Sequence, residues 1–125
     1  MTENQLSYEI IGAAIKVHRH FGPGLLESVY ERSLVRELKE RGFDVKAQVS
    51  VPYQYKDGEK QKAFRADILV NDLVLVEVKA IEFLDAVHFA QTLTYLKMTN
   101  LKLALLINFN VRLLREGIHR IVNGL

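Results

Sequence analysis

Leu73-Val74-Leu75-Val76-Glu77-Val78-Lys79 is an apolar run with one carboxylate set into it, and its reading decides the fold. The two-residue period of a strand sends Val74, Val76 and Val78 to one face, and Glu77 and Lys79 to the other, roughly 7 Å apart along the chain. An ionised carboxylate loses its hydration in such surroundings unless something replaces it. Glu77 therefore calls for a partner, and the neighbouring segments supply one.

Upstream, Val45, Ala47, Val49, Val51, Tyr53 and Tyr55 alternate with polar residues, as in a strand with one wet face. Tyr53 and Tyr55 share the face of Val49 and Val51, so packing is expected of them. Pro52 places this strand at an edge or on a bulge. Asp57-Gly58 supplies a turn, Lys62 to Val70 the returning strand, and Asn71-Asp72 the next turn. Register then decides the fate of Asp67. A two-residue loop would set Asp67 opposite Val76 and bury its charge among the valines. A three-residue loop, Asn71 to Leu73, or an equivalent bulge, sets Asp67 opposite Glu77 and Arg65 opposite Lys79. Phe64, Ala66, Ile68 and Val70 then match the valine face, so patterning selects the register that brings the two carboxylates together.

Further out, Ile10, Ile11, Ala14, Val17 and Phe21 recur at helical spacing until Gly22-Pro23-Gly24 ends the pattern. A second helix carries Leu26, Tyr30, Leu34 and Leu38, with Gly42 where a left-handed cap is wanted. His18 and His20, two apart on a helix, face different ways and make no compact metal pair. After Lys79 a helix from Leu84 to Met98 buries Ala86, Phe89, Leu93 and Leu96. Leu101 to Ile107 then reads as a strand covered on both faces, parallel to the one bearing Glu77. Leu113 to Val122, divided by Gly117, is a terminal strand or pair of strands. The expectation is a single α/β domain over 1–125, whose mixed sheet combines an antiparallel meander with a parallel crossover strand, flanked by helices.

The 125 residues are 49% hydrophobic and 26% charged, a globular balance that excludes a disordered chain. No apolar run approaches the ~20 residues of a membrane span. There is no cysteine, and the first residues lack the pattern of a secretory signal, so a cytoplasmic address and no membrane partner are expected. A net charge of +2 permits a nucleic-acid partner without demanding one, since the basic residues are spread out.

Two carboxylates a few ångströms apart repel, and a hard cation is the usual reason to tolerate that. Mg²⁺ takes oxygen ligands and can activate water against a phosphodiester, while Lys79 could hold that water and steady the developing charge. The same three residues also suit an ordinary surface charge cluster.

Asp67, followed by Glu77-Val78-Lys79 on the next strand and then a helix, resembles the PD-(D/E)XK nuclease superfamily. Gly24-Leu25-Leu26-Glu27-Ser28-Val29-Tyr30 looks like the signature of its GxxExxY family, a bacterial and archaeal group. The resemblance continues through Val17-His18-Arg19, Arg65-Ala66-Asp67, Gln91 to Lys97 and Leu105 to Phe109. Ala66 stands where the name-giving proline would be.

The resemblance implies a restriction-endonuclease-like core and a Mg²⁺-dependent nuclease, with Mn²⁺ as a substitute. It would act on nucleic acid, DNA ahead of RNA, and for want of a wide basic surface to supply affinity a homo-oligomer or protein partner would assist. Asp67, Glu77 and the backbone carbonyl of Val78 would hold the metal, Lys79 would work on the water, and Glu27 would reach in from the second helix. A carboxylate in the first helical turn is in any case favourable by ~0.3–1 kcal/mol. Gln91 and Tyr95, one turn apart, resemble the QxxxY pair of RecB-type nucleases, and His88 and Arg65 would border them as supporting or substrate-binding residues. The competing reading is a catalytically silent module for binding or oligomerisation on the same fold.

Overall fold

The computed structural model describes residues 1–125. Two helices, α1 (Glu3–Phe21) and α2 (Glu27–Glu40), lead into strands β1 (Val45–Tyr53), β2 (Gln61–Val70) and β3 (Val74–Lys79). Helix α3 (Ala86–Thr99), strand β4 (Leu103–Asn108), a short 3₁₀ turn (Leu114–Glu116) and strand β5 (Ile118–Val122) complete the chain. The five strands lie in the order β1-β2-β3-β4-β5. Only β3 and β4 run parallel, joined by α3, and the other neighbours are antiparallel. The mixed α/β sheet is thus the expected one, and the tail resolves into a 3₁₀ turn and one strand.

The larger core lies on the valine face of β3. Val74, Val76 and Val78 pack there with Leu6, Ile10, Ala14 and Val17 of α1 and Tyr30, Leu34 and Leu38 of α2. Phe21, expected on the buried stripe of α1, is instead exposed at the helix end. The opposite face holds a smaller cluster of Ala66, Leu75, Leu96 and Ala104, covered by α3. On α3, Thr92 and Leu96 are the buried residues, whereas Ala86 is exposed and Phe89 and Leu93 are half-buried. A helix over such a small cluster needs only a narrow buried stripe.

The β2–β3 loop has three residues, Asn71 to Leu73, because Val70 pairs with Val74, Leu69 with Leu75 and Ile68 with Val76. Asn71 and Asp72 both take left-handed backbone, and this is the register that directs Asp67 towards Glu77. The expected face of β2 holds only in part. Ile68 and Val70 join the valine core, but Ala66 and Phe64 pack on the opposite side, with Leu75 and Leu96. Strand alternation therefore breaks at Asp67. Across from it, Gln48 sits between the pairs Ala47–Ile68 and Val49–Ala66 and has φ of +54°. Arg65 does not oppose Lys79, since the β2–β3 ladder ends at Ile68 and Val76; it pairs with Ser50 and is exposed. β1 is an edge strand whose register shifts between Val51 and Pro52, as the proline required. Tyr53 and Tyr55 lie beyond that shift and are exposed rather than packed.

One backbone approach closes the end of the sheet where Asn108 pairs with Lys79. The Gly117 carbonyl accepts a hydrogen bond from the Asn108 N–H at 2.9 Å, and a Cβ at Gly117 would stand 2.0 Å from the Asn108 oxygen. Gly117→Ala should therefore destabilise the chain by about 1–3 kcal/mol through forced backbone movement, read as a lower urea midpoint. An unchanged midpoint would mean that this approach can relax freely.

Candidate functional site

β3 carries Glu77 and Lys79 to the end of a buried strand, and β2 brings Asp67 beside them. Where the β2–β3 ladder stops, the Asp67 side chain takes over from the backbone: its Oδ2 accepts the Val78 N–H at 2.8 Å. The Asp67 N–H in turn points at Glu77 Oε1, 3.5 Å away. Glu77 is only 4% exposed, so its carboxyl lies inside the protein. The two acidic residues that sequence patterning set face to face are brought together.

Helix α2 adds two more carboxylates. Glu27 stands in its first turn and Glu31 one turn later, both within the field of Asp67. The Glu31 oxygens accept hydrogen bonds from Gln48 Nε2 at 2.8 and 2.9 Å. The start of α2 is itself held by Tyr30, whose buried hydroxyl donates to the Gly22 carbonyl at 2.6 Å and accepts the Leu25 N–H at 3.1 Å. The Tyr30 ring stacks on Phe109, with centroids 4.7 Å apart. The spacing Gly24-x-x-Glu27-x-x-Tyr30 thereby gains a physical meaning: the tyrosine pins the turn from which the glutamate projects.

Crowding shifts these groups in one direction. Burial first, and then the Asp67 charge, raise the Glu77 carboxyl from 4.5 to about 9, with Lys79 opposing. Partial desolvation and then Asp67 raise Glu27, against the pull of Lys79 and the Ala80 N–H. Glu31 is raised by desolvation, which its bond from Gln48 counteracts and the Asp67 charge reinforces. Burial, and then Glu77 and Asp67, also raise the Tyr95 hydroxyl.

An all-oxygen set of mutually repelling acids fits a hard divalent cation, whose charge would lower each of them. No three acidic or histidine side chains already form a metal cage. That does not count against Mg²⁺, which keeps several waters and usually takes one or two carboxylates. None of the surface cavities is lined by Asp67, Glu77 or Lys79, and Asp67 and Lys79 are half-buried beside the buried Glu77.

The remaining expected residues divide. Tyr95 is half-buried, stacked on Phe64 at 3.7 Å and 6°, and feels both carboxylates. Gln91, one turn earlier, is exposed, and no hydrogen bond ties its side chain to the site. His88 serves its own helix: its Nδ1 accepts the Asp85 N–H at 3.0 Å in a capping box. Arg65 is exposed and paired with Ser50, and no hydrogen bond ties its side chain to the site. Sequence reasoning missed Glu31 and Gln48. Glu31 was within reach, being four residues after Glu27 on the same helix face. Gln48 had no local signal, because its place opposite Asp67 follows from the β1–β2 register.

A family profile described as the PD-(D/E)XK nuclease superfamily matches residues 4–121, and that superfamily generally uses divalent metal ions. No curated protein and no solved structure matches the chain.

The raised Glu77 carboxyl makes stability depend on pH. Between about 4.5 and 9 the folded chain keeps a proton that the unfolded chain has lost, so the stabilisation present below 4.5 fades as pH rises towards 9. In chelator, the urea midpoint should fall across this window, and Glu77→Gln should flatten the fall. A wild-type midpoint that climbs from pH 5 to 9 would contradict the assignment.

Proposed function

We propose that this chain, which belongs to the PD-(D/E)XK nuclease superfamily, hydrolyses phosphodiester bonds in nucleic acid, with DNA as the favoured substrate. The observation that carries the reading is the Asp67–Val78 bond, which sets Asp67 against buried Glu77 with Lys79 on the same strand face. Asp67, Glu77 and the Val78 carbonyl are the groups that would hold Mg²⁺, or Mn²⁺ in its place. Bound there, the ion supplies a Lewis acid for a phosphoryl oxygen and favours ionisation of water.

The chain's own residues do the rest. Lys79 orients the attacking water and offsets negative charge gathering on the phosphoryl oxygens. Glu27, held at its place by the Tyr30 hydrogen bonds, accepts the water's proton or holds the water by a hydrogen bond; its raised affinity for protons suits it to that task. Tyr95 braces the lysine side of the site, and Gln91, on the exposed turn before it, contacts the nucleic-acid backbone. The competing reading is a silent binding or oligomerisation module on the same fold.

The two readings part in one assay. Purified protein is incubated with single- and double-stranded DNA and RNA in Mg²⁺ or Mn²⁺, alongside Lys79→Ala. Wild-type cleavage should fall by about 10²-fold or more in Lys79→Ala, with the circular dichroism spectrum unchanged. Cleavage that survives the substitution removes the lysine from the mechanism. No cleavage of any substrate, together with no metal binding by calorimetry, favours the silent module.

A further inference from the structure

Away from the acids, the end of α1 and the segment after β4 enclose a surface cavity of about 440 Å³. Arg19, Arg112 and Arg115 line it together with His18 and Gly22, and no acidic residue does. None of the three arginines belongs to an ion pair of the structure. Three guanidinium groups gathered without a counter-charge repel one another, and planar forks of this kind match phosphate oxygens bidentately.

The cavity is built rather than incidental. Leu114, between two of the arginines, is buried in the main core. His18 is also buried, and its Nε2 lies 2.8 Å from the Val111 carbonyl, tying α1 to the arginine-bearing segment. Its position relative to the acidic site follows from one bond. The Phe109 N–H donates to the Lys79 carbonyl at 2.8 Å, and Arg112 is three residues further on. At no more than ~3.6 Å per residue, the Arg112 backbone stands within about 11 Å of that of Phe109. A nucleic-acid strand carries a phosphate for about every 3.4 Å of duplex axis, so this reach corresponds to at most some three nucleotides.

We infer that the Arg19–Arg112–Arg115 cavity is a phosphate subsite that seats the nucleic-acid backbone a few nucleotides from the bond to be cut. The inference rests on the nuclease reading above and adds how that site holds its substrate. Four carboxylates cannot by themselves attract a polyanion, and a chain with a net charge of only +2 needs its positive groups concentrated. This cavity is where unpaired arginines converge, at the same end of the sheet as Lys79.

The test measures binding apart from cleavage. Fluorescein-labelled single- and double-stranded oligonucleotides are titrated in chelator by anisotropy, at several salt concentrations. The proteins are wild type, Arg112→Gln/Arg115→Gln, Arg19→Gln and a surface control with the same charge loss as the double variant, Arg36→Gln/Lys39→Gln. The double variant should bind about tenfold or more weakly at low salt, and its log K against log salt slope should become shallower by roughly 1.4 to 1.8, for two lost contacts. Arg19→Gln should lose about half of that slope change, while the control keeps wild-type affinity and all variants keep the wild-type melting midpoint.

Wild-type affinity and slope in the double variant would overturn the inference. So would an equal loss in the control, or wild-type protein that binds anionic phospholipid vesicles and no oligonucleotide. The two claims fail separately. Wild-type cleavage with unaltered binding by the double variant sinks the subsite alone. Arginine-dependent binding without cleavage under any metal sinks the nuclease reading alone.

Discussion

The hydrogen bond from the Val78 N–H to the Asp67 carboxylate stands at the one place where the sheet stops being a sheet. Up to Ile68 and Val76, β2 and β3 exchange backbone bonds; beyond them a side chain takes the place of a carbonyl. A backbone N–H at that depth needs an acceptor, and leaving it without one would cost ~1–3 kcal/mol. Asp67 supplies the acceptor and is fixed by doing so. The same substitution turns β2, so that Ile68 faces the main core and Ala66 the smaller one. A constraint of backbone satisfaction thus places an acidic residue where it crowds Glu77.

The rest of the frame serves that edge. Tyr30 ties the Gly22–Leu25 turn to α2 and so places Glu27, while its ring rests on Phe109, whose N–H binds the Lys79 carbonyl. Asn108, buried at the end of β4, accepts the Ile81 N–H and donates to the Ile81 carbonyl, which fixes the chain just after Lys79. These bonds link α2, β3 and β4 at one end of the sheet. The crowded acids are therefore framed by neutral hydrogen bonds, and burial beside Asp67 raises the Glu77 carboxyl.

Much of this was legible in the sequence because it is local. The alternation in Val74 to Lys79 set the faces of β3, and the demand that Asp67 avoid the valines selected the three-residue loop. What escaped was either non-local or against the rule of two. Nothing in Phe64-Arg65-Ala66-Asp67 announces that alternation breaks there, since the cause is an N–H on another strand and a left-handed Gln48 on a third. The tyrosines after Pro52 look like packing residues, yet beyond the register shift Tyr53, still paired with Gln61, and Tyr55, past the end of β1, are exposed. His88 had the composition of a rim residue, and the helix took it for its own cap.

The central claim is that Asp67 and Glu77 form a cation site rather than a structural acid pair. Thermal melting at pH 8 with increasing Mn²⁺, for wild type and Glu77→Gln, tests it most directly. The account predicts a midpoint that rises with Mn²⁺ in the wild type, equivalent to about 2.7 kcal/mol at one hundred times the dissociation constant, and little or no rise in Glu77→Gln. A wild-type midpoint indifferent to Mn²⁺, or a rise as large in Glu77→Gln, would contradict it.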